Sequence, residues 1–108
     1  QVNDVLFSLM SESDKLAELS RFMGKLRFAV EGKDGDTAEE ACQEVTTPAK
    51  HLPGEFQVAD LLSVAKDTSP KSSKLAQLYL DRCFRLSSGD YASVQDLEAE
   101  IRALQSQG

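Results

Sequence analysis

The sequence predicts an all-α fold, a helical bundle of about five helices led by a long amphipathic N-terminal helix. Three observations predict it. Apolar residues recur at spacings of three and four through most of the chain, the repeat of a helix face and not the alternation of a strand. They are mostly Leu, Ala and Val, with no Trp, two Tyr and five Phe, a mixture that favours helices over sheets. Capping pairs and Gly or Pro stops punctuate the chain at helix-length intervals. The 108 residues suit one domain, with a coiled-coil-like helix over 1–31 and helical hairpins over 36–108. A hydrophobic fraction of 41% and a charged fraction of 28% give a globular composition that needs no metal or disulfide to close a core.

The first stretch carries the strongest pattern. Val2, Val5, Leu9, Glu12, Leu16, Leu19, Met23, Leu26 and Val30 step by alternating three and four, which draws one seam along a helix as in a coiled coil. Leu6, Phe22 and Ala29 fall beside the seam and widen it, as in a helix facing several neighbours. Ser11 with Asp14 three residues on is a capping-box pattern, so a short helix followed by one over 13–30 is a second reading. The continuous seam favours one helix bent near Ser11. Gly24 inside it costs about 1 kcal/mol relative to Ala and is expected to mark the close approach of a neighbour.

Glu31 to Asp36 is a loop, with Gly32 placed to cap the preceding helix. Thr37 and Glu40 form a capping pair for a helix over Thr37–Thr47, whose inner face is Ala38, Ala41, Cys42 and Val45; Pro48 stops it or kinks it. After a connection over Pro48–Gly54, Glu55–Lys66 reads as a helix with Val58, Leu61, Leu62 and Ala65 on one face and Phe56 and Ala59 beside it. Ser69-Pro70 is an N-cap followed by proline in the first turn. The helix it opens runs to about Leu86 and buries Leu75, Leu78, Tyr79, Cys83 and Leu86, and Gly89 ends it. Ser93 with Asp96 opens the last helix, striped by Val94, Leu97, Ile101 and Leu104.

Charge and chemistry exclude several function classes. The net charge is −6, with 12 basic residues scattered among 18 acidic ones, so neither nucleic acid nor an anionic membrane surface is an expected partner. No apolar run approaches the ~18 residues of a membrane span, and no signal peptide is visible. Gln1 in place of Met fits either a segment of a longer chain or a processed start. Cys42 and Cys83 each sit among apolar neighbours and read as buried, reduced thiols, in keeping with a cytoplasmic protein. His51 lies between Pro48 and Pro53 in a connection, a solvated loop position and not the mid-helix site of a phosphotransfer histidine, and no nucleophile or orienting partner is nominated for it. One His and two separated Cys cannot hold zinc without carboxylates. Asp34 and Asp36 lack the alternating ligands of a calcium loop, because Lys33 and Gly35 interrupt them. Glu39 with Glu40 and Glu98 with Glu100 read as solvated helix faces. Ser72 and Ser73 occupy a first helical turn, where negative charge is favoured. No catalytic, cofactor-binding or metal-ligating residue is assigned, no cofactor is expected, and the chain is not expected to be an enzyme.

From Gly54 to Leu86 the sequence resembles part of a tetratricopeptide repeat. Gly54, Phe56 and Ala59 match the glycine–aromatic–alanine signature that opens that repeat's second helix, and Pro70 stands where the inter-repeat proline falls. Ala65 lies one position short of the second alanine. The segment Leu78-Tyr79-Leu80-Asp81-Arg82-Cys83 is similar to the helical tail that follows the catalytic domain of many bacterial class III nucleotidyl cyclases. The resemblance covers about a third of the chain. It implies tetratricopeptide-like helical hairpins and a helical appendage of a signalling protein with no activity of its own.

The expected function is therefore a non-catalytic protein–protein interaction or oligomerisation module, a helical part of a signalling or regulatory protein. Its expected partner is protein, in the first place a second copy in a homodimer. The expected self-association surface is Val5, Leu9, Leu16, Leu19, Met23 and Leu26. The alternative is a small acidic helical binder (a chaperone, immunity protein or antitoxin) that neutralises a basic protein partner.

Overall fold

The structure, a computed structural model, describes residues 2–107, apart from the side chains of Val2 and Asn3. It comprises six α-helices: α1 Val2–Leu9, α2 Glu12–Glu31, α3 Gly35–Lys50, α4 Val58–Lys66, α5 Ser72–Ser87 and α6 Tyr91–Gln105, with a 3-10 turn at Gly54–Phe56. No strand occurs among the described residues, so the chain is an all-α helical bundle.

The N-terminal stretch is two helices, not one. Ser11 takes extended backbone (φ −65°, ψ 158°) and its hydroxyl accepts from the Asp14 N–H at 3.1 Å. That bond satisfies one of the free donors of the first turn of α2, and the local cap prevails over the continuous seam. Val2, the first residue of that seam, has its side chain outside the described residues. The other starts show a shared correction. Thr37 and Ser93 do not cap their helices; Asp34 and Asp90 do. In each case the aspartate accepts from the backbone N–H three residues on and from that residue's hydroxyl, at 3.1 and 2.7 Å for Thr37 and 3.2 and 2.7 Å for Ser93. Ser69 likewise donates to Asp67 and lies before the helix, which opens at Ser72. Pro48 does not stop α3: it is buried in the last turn, which runs on to Lys50. The expected helix from Glu55 is interrupted at Gln57, left-handed at φ 55°, so Gly54 and Phe56 fall in the 3-10 turn and Ala59 in α4. Gly89 ends α5 as expected, at φ +79°.

Helix α2 is the centre of the bundle and packs against α3, α4 and α5; α5 in turn packs on α4 and α6, and α1 lies on α3. The core draws on Leu16, Leu19, Met23 and Leu26 of α2, Ala41 and Val45 of α3, Leu61 and Ala65 of α4, and Leu75, Leu78 and Cys83 of α5. Gly24 is not a close-approach site, since a Cβ placed there would meet nothing within 4 Å. The hairpins are tied by cations that reach backbone oxygens. Arg27 donates to Ala65 O and Asp67 O, Lys71 to Gln107 O at 2.8 Å, and Arg82 to Glu55 O at 2.8 Å and to Glu98.

Candidate interaction surface

Helix α1 carries apolar side chains on two sides: Val5, Leu6 and Leu9 on one and Phe7 on the other, with Asp4 and Ser8 between them. An apolar helix side is ordinarily covered. Here only one of the two is covered. Phe7 packs against the core beside Phe22, Gln43 and Thr47. Asp4 accepts from or pairs with His51 Nε2 at 3.3 Å and faces Lys50 Nζ at 3.8 Å. The remaining apolar side chains stand in solvent: Val5 is 57% exposed, Leu6 54% and Leu9 79%.

The expected self-association seam is thereby divided. Leu16, Leu19, Met23 and Leu26 are buried within this chain, because α3, α4 and α5 run alongside α2. They form the core and cannot also form an outer surface while the bundle is folded. Only Val5 and Leu9 of the six remain on the surface. Leu6, beside the seam in the sequence, joins them. Phe28, Phe84 and Tyr91 are exposed as well, and the sequence offered no signal for them because each lies off the stripe of its own helix.

His51 is not a solvated loop residue. It caps the end of α3, its ring meets Asp4, and its carbonyl accepts from Lys15 Nζ at 3.2 Å. It joins α1, α2 and α3 at one corner. Cys42 and Cys83 are both free, and Cys83 is buried, its Sγ 3.2 Å from Phe56 O. Burial pushes the Cys83 thiol up to about 11 and raises Cys42 as well. Thr37, through its hydroxyl and then its backbone N–H, holds the Asp34 carboxyl below the ordinary range, and Ser93 does the same for Asp90. The Ser69 backbone and hydroxyl lower Asp67.

Glu39, Glu40, Glu98 and Ser72 have structural partners, whereas Glu100 and Ser73 are exposed. Glu40 and Glu44 share Lys25 Nζ at 2.9 and 2.7 Å, Glu39 accepts from Gln43, and Glu98 pairs with Arg82 at 2.9 Å. Ser72 is buried and donates to Ser69 O, while Ser73 is exposed. Among the described residues no three His, Cys, Asp or Glu side chains converge as metal ligands. None of the helices described is long and apolar enough to cross a membrane.

A second surface feature is an open groove of about 580 Å³ between α5 and α6, lined by Asp81, Phe84, Arg85, Ser88, Ser93, Asp96 and Leu97. Comparison with protein-family models, curated proteins and solved structures gives no match to this chain.

Proposed function

We propose that this chain is a non-catalytic protein-interaction module that self-associates through α1, and that it serves as a helical part of a larger signalling or regulatory assembly in the cytoplasm. The carrying observation is the trio Val5, Leu6 and Leu9 on one two-turn helix, half to four-fifths exposed, while Phe7 on the other side is packed on the core. Two free cysteines suit a reducing compartment.

The size of the trio sets the strength of the association. Scaled by their exposed fractions, the three side chains would gain about 3–6 kcal/mol on full burial, and a symmetric pair about twice that. Association itself costs about 4–15 kcal/mol. A weak, concentration-dependent homodimer is the expected result. Light scattering over a concentration series tests it: the mass should climb toward twice that of the chain. Leu6→Glu with Leu9→Glu should abolish the climb and leave the helical circular dichroism unchanged. A native chain that keeps the monomer mass at every concentration would sink the reading.

The α5–α6 groove favours a second reading, binding of a basic protein partner. Asp81 and Asp96 flank the apolar Phe84 and Leu97, and Arg85 is turned toward Asp90 at 3.7 Å. Binding of a cationic peptide that weakens steeply with salt, and is lost in Asp81→Lys with Asp96→Lys, would support it. Salt-independent binding would count against it.

A further inference from the structure

Three features of α1 belong together. Its link to α2 is only Met10 and Ser11. It packs on α3 through one aromatic side chain, Phe7, and one charge cluster, Asp4 with His51 and Lys50. Across the link, the apolar stripe stays in phase. On one continuous helix Val5, Leu9, Leu16, Leu19, Met23 and Leu26 would lie within an arc of roughly 100°, with Phe7 on the opposite side. The break at Ser11 therefore interrupts a segment whose pattern is written for a single rod.

Such a rod outruns its own bundle. From Val2 to Glu31 it would be about 45 Å long, against about 24 Å for α3 and for α5, which have 16 residues each. Straightened, the α1 segment would leave its seat on α3 and the rod would project about 15 Å past the end of α2. Its Phe7 would then point away from its own core.

We propose that the Met10–Ser11 link is a hinge, and that a second copy of this chain supplies the occupant of the α1 seat. In the exchanged dimer each α1 continues α2 as one helix and docks on the partner's α3. The Phe7 contact and the Asp4–His51 pair are remade between chains instead of within one. Exchange of an identical element needs no new surface for its main contact, so it is a low-cost route to a dimer, and short links favour it. The two straightened helices pass each other at the hinge, where Val5, Leu6 and Leu9 of one chain cover those of the other. This accounts for a helix apolar on the side that its own chain leaves bare. The proposal rests on the reading of α1 as the self-association element.

Three forms of the full chain test it: native, Ser11→Ala, and an insertion of three glycines between Met10 and Ser11. Ser11→Ala removes the cap that holds the bent form and improves the continuous helix. It should lower the dimer dissociation constant about fivefold or more. The insertion lets α1 fold back freely and should give a monomer. In a sample mixing isotope-labelled and unlabelled native chains, isotope-filtered NMR should show contacts from Phe7 of one chain to Gln43 and Thr47 of the other. A dimer whose Phe7 contacts stay within one chain overturns the exchange and leaves self-association through α1 standing. A monomer at every concentration, in the native and Ser11→Ala chains alike, overturns both.

Discussion

Leu9 and Leu19 share one stripe of the sequence and meet opposite fates in the structure, so truncating each in turn measures the difference. Leu19 is 0% exposed and sits among the α2, α3, α4 and α5 side chains of the core. Replacing it by Ala removes the transfer free energy of the lost groups and leaves a cavity that close-packed neighbours refill only in part. The expected cost is about 2.5–5 kcal/mol. For a domain near this size each kcal/mol lowers the melting temperature by about 4–8 °C, so Leu19→Ala should melt about 10–40 °C below the parent. Leu9 is 79% exposed, and Leu9→Ala should change stability by less than about 0.5 kcal/mol, a shift of about 4 °C at most. The assay is thermal unfolding followed by circular dichroism at the lowest workable concentration, where self-association contributes least. A Leu19→Ala melt within about 3 °C of the parent, or equal losses at the two positions, would refute the division of the stripe.

Arg82 is buried, and its loss leaves Glu55 O and Glu98 without a donor; Arg82→Ala should cost about 1.5–3 kcal/mol in urea unfolding, and no measurable loss would show that the tie is idle. Asp34, Asp67 and Asp90 are held below their ordinary range when folded. Their contribution is therefore present above the unfolded carboxylate value of about 3.9 and is lost as pH falls through the folded values. Acid unfolding curves should steepen below about pH 4, and Asp34→Asn with Asp90→Asn should flatten that fall; an unchanged profile would contradict the capping assignment. Cys83, buried and pushed up to about 11, should resist Ellman's reagent at about pH 8 until the chain unfolds, with Cys42 reacting first. Equal rates in the folded protein would mean that Cys83 is not enclosed.

The fold class was legible because it rests on local information: helix-period stripes, small loops and cap residues. The stripes of α4, α5 and α6 place Leu61, Ala65, Leu75, Leu78, Tyr79, Cys83, Val94 and Ile101 inside, and these are buried, whereas Leu62, Leu86, Leu97 and Leu104 of the same stripes are only partly so. The helix starts at 37 and 93 were misplaced for a definite reason. A Thr or Ser followed by an acid three residues on matches a capping box, while an Asp three residues before a Thr or Ser is an N-cap candidate in its own right. In both places the chain offers the two patterns in overlap, and the aspartate upstream prevails because its two oxygens serve a backbone donor and a hydroxyl at once. Which part of the N-terminal stripe is covered was not legible. A stripe records rotational phase, whereas coverage depends on where neighbouring helices lie, and the break at Ser11 takes residues 2–9 off the line of α2 and onto α3. His51 was misread for the same reason, since its partner Asp4 lies 47 positions away.

The groups with shifted protonation bear on what kind of site to look for. In an active site, burial and charge partners converge on a few groups in one cleft and shift them together. Here the shifted groups are dispersed and each has a separate structural cause: Asp34, Asp67 and Asp90 serve a cap or a turn, Lys25 bridges α2 to α3 through Glu44 and Glu40, and Cys42 and Cys83 are raised by burial. Half-buried Arg27 and buried Arg82 satisfy backbone carbonyls between elements. Such charges fasten the bundle, and of the two aspartates that line the α5–α6 groove Asp81 accepts from Gln77. Exposed apolar side chains stand singly on α2, α5 and α6 at Phe28, Phe84 and Tyr91, and three together on α1. That asymmetry, polar fastening within the bundle and a cluster of exposed apolar side chains on α1, supports the proposal that α1 is the self-association element.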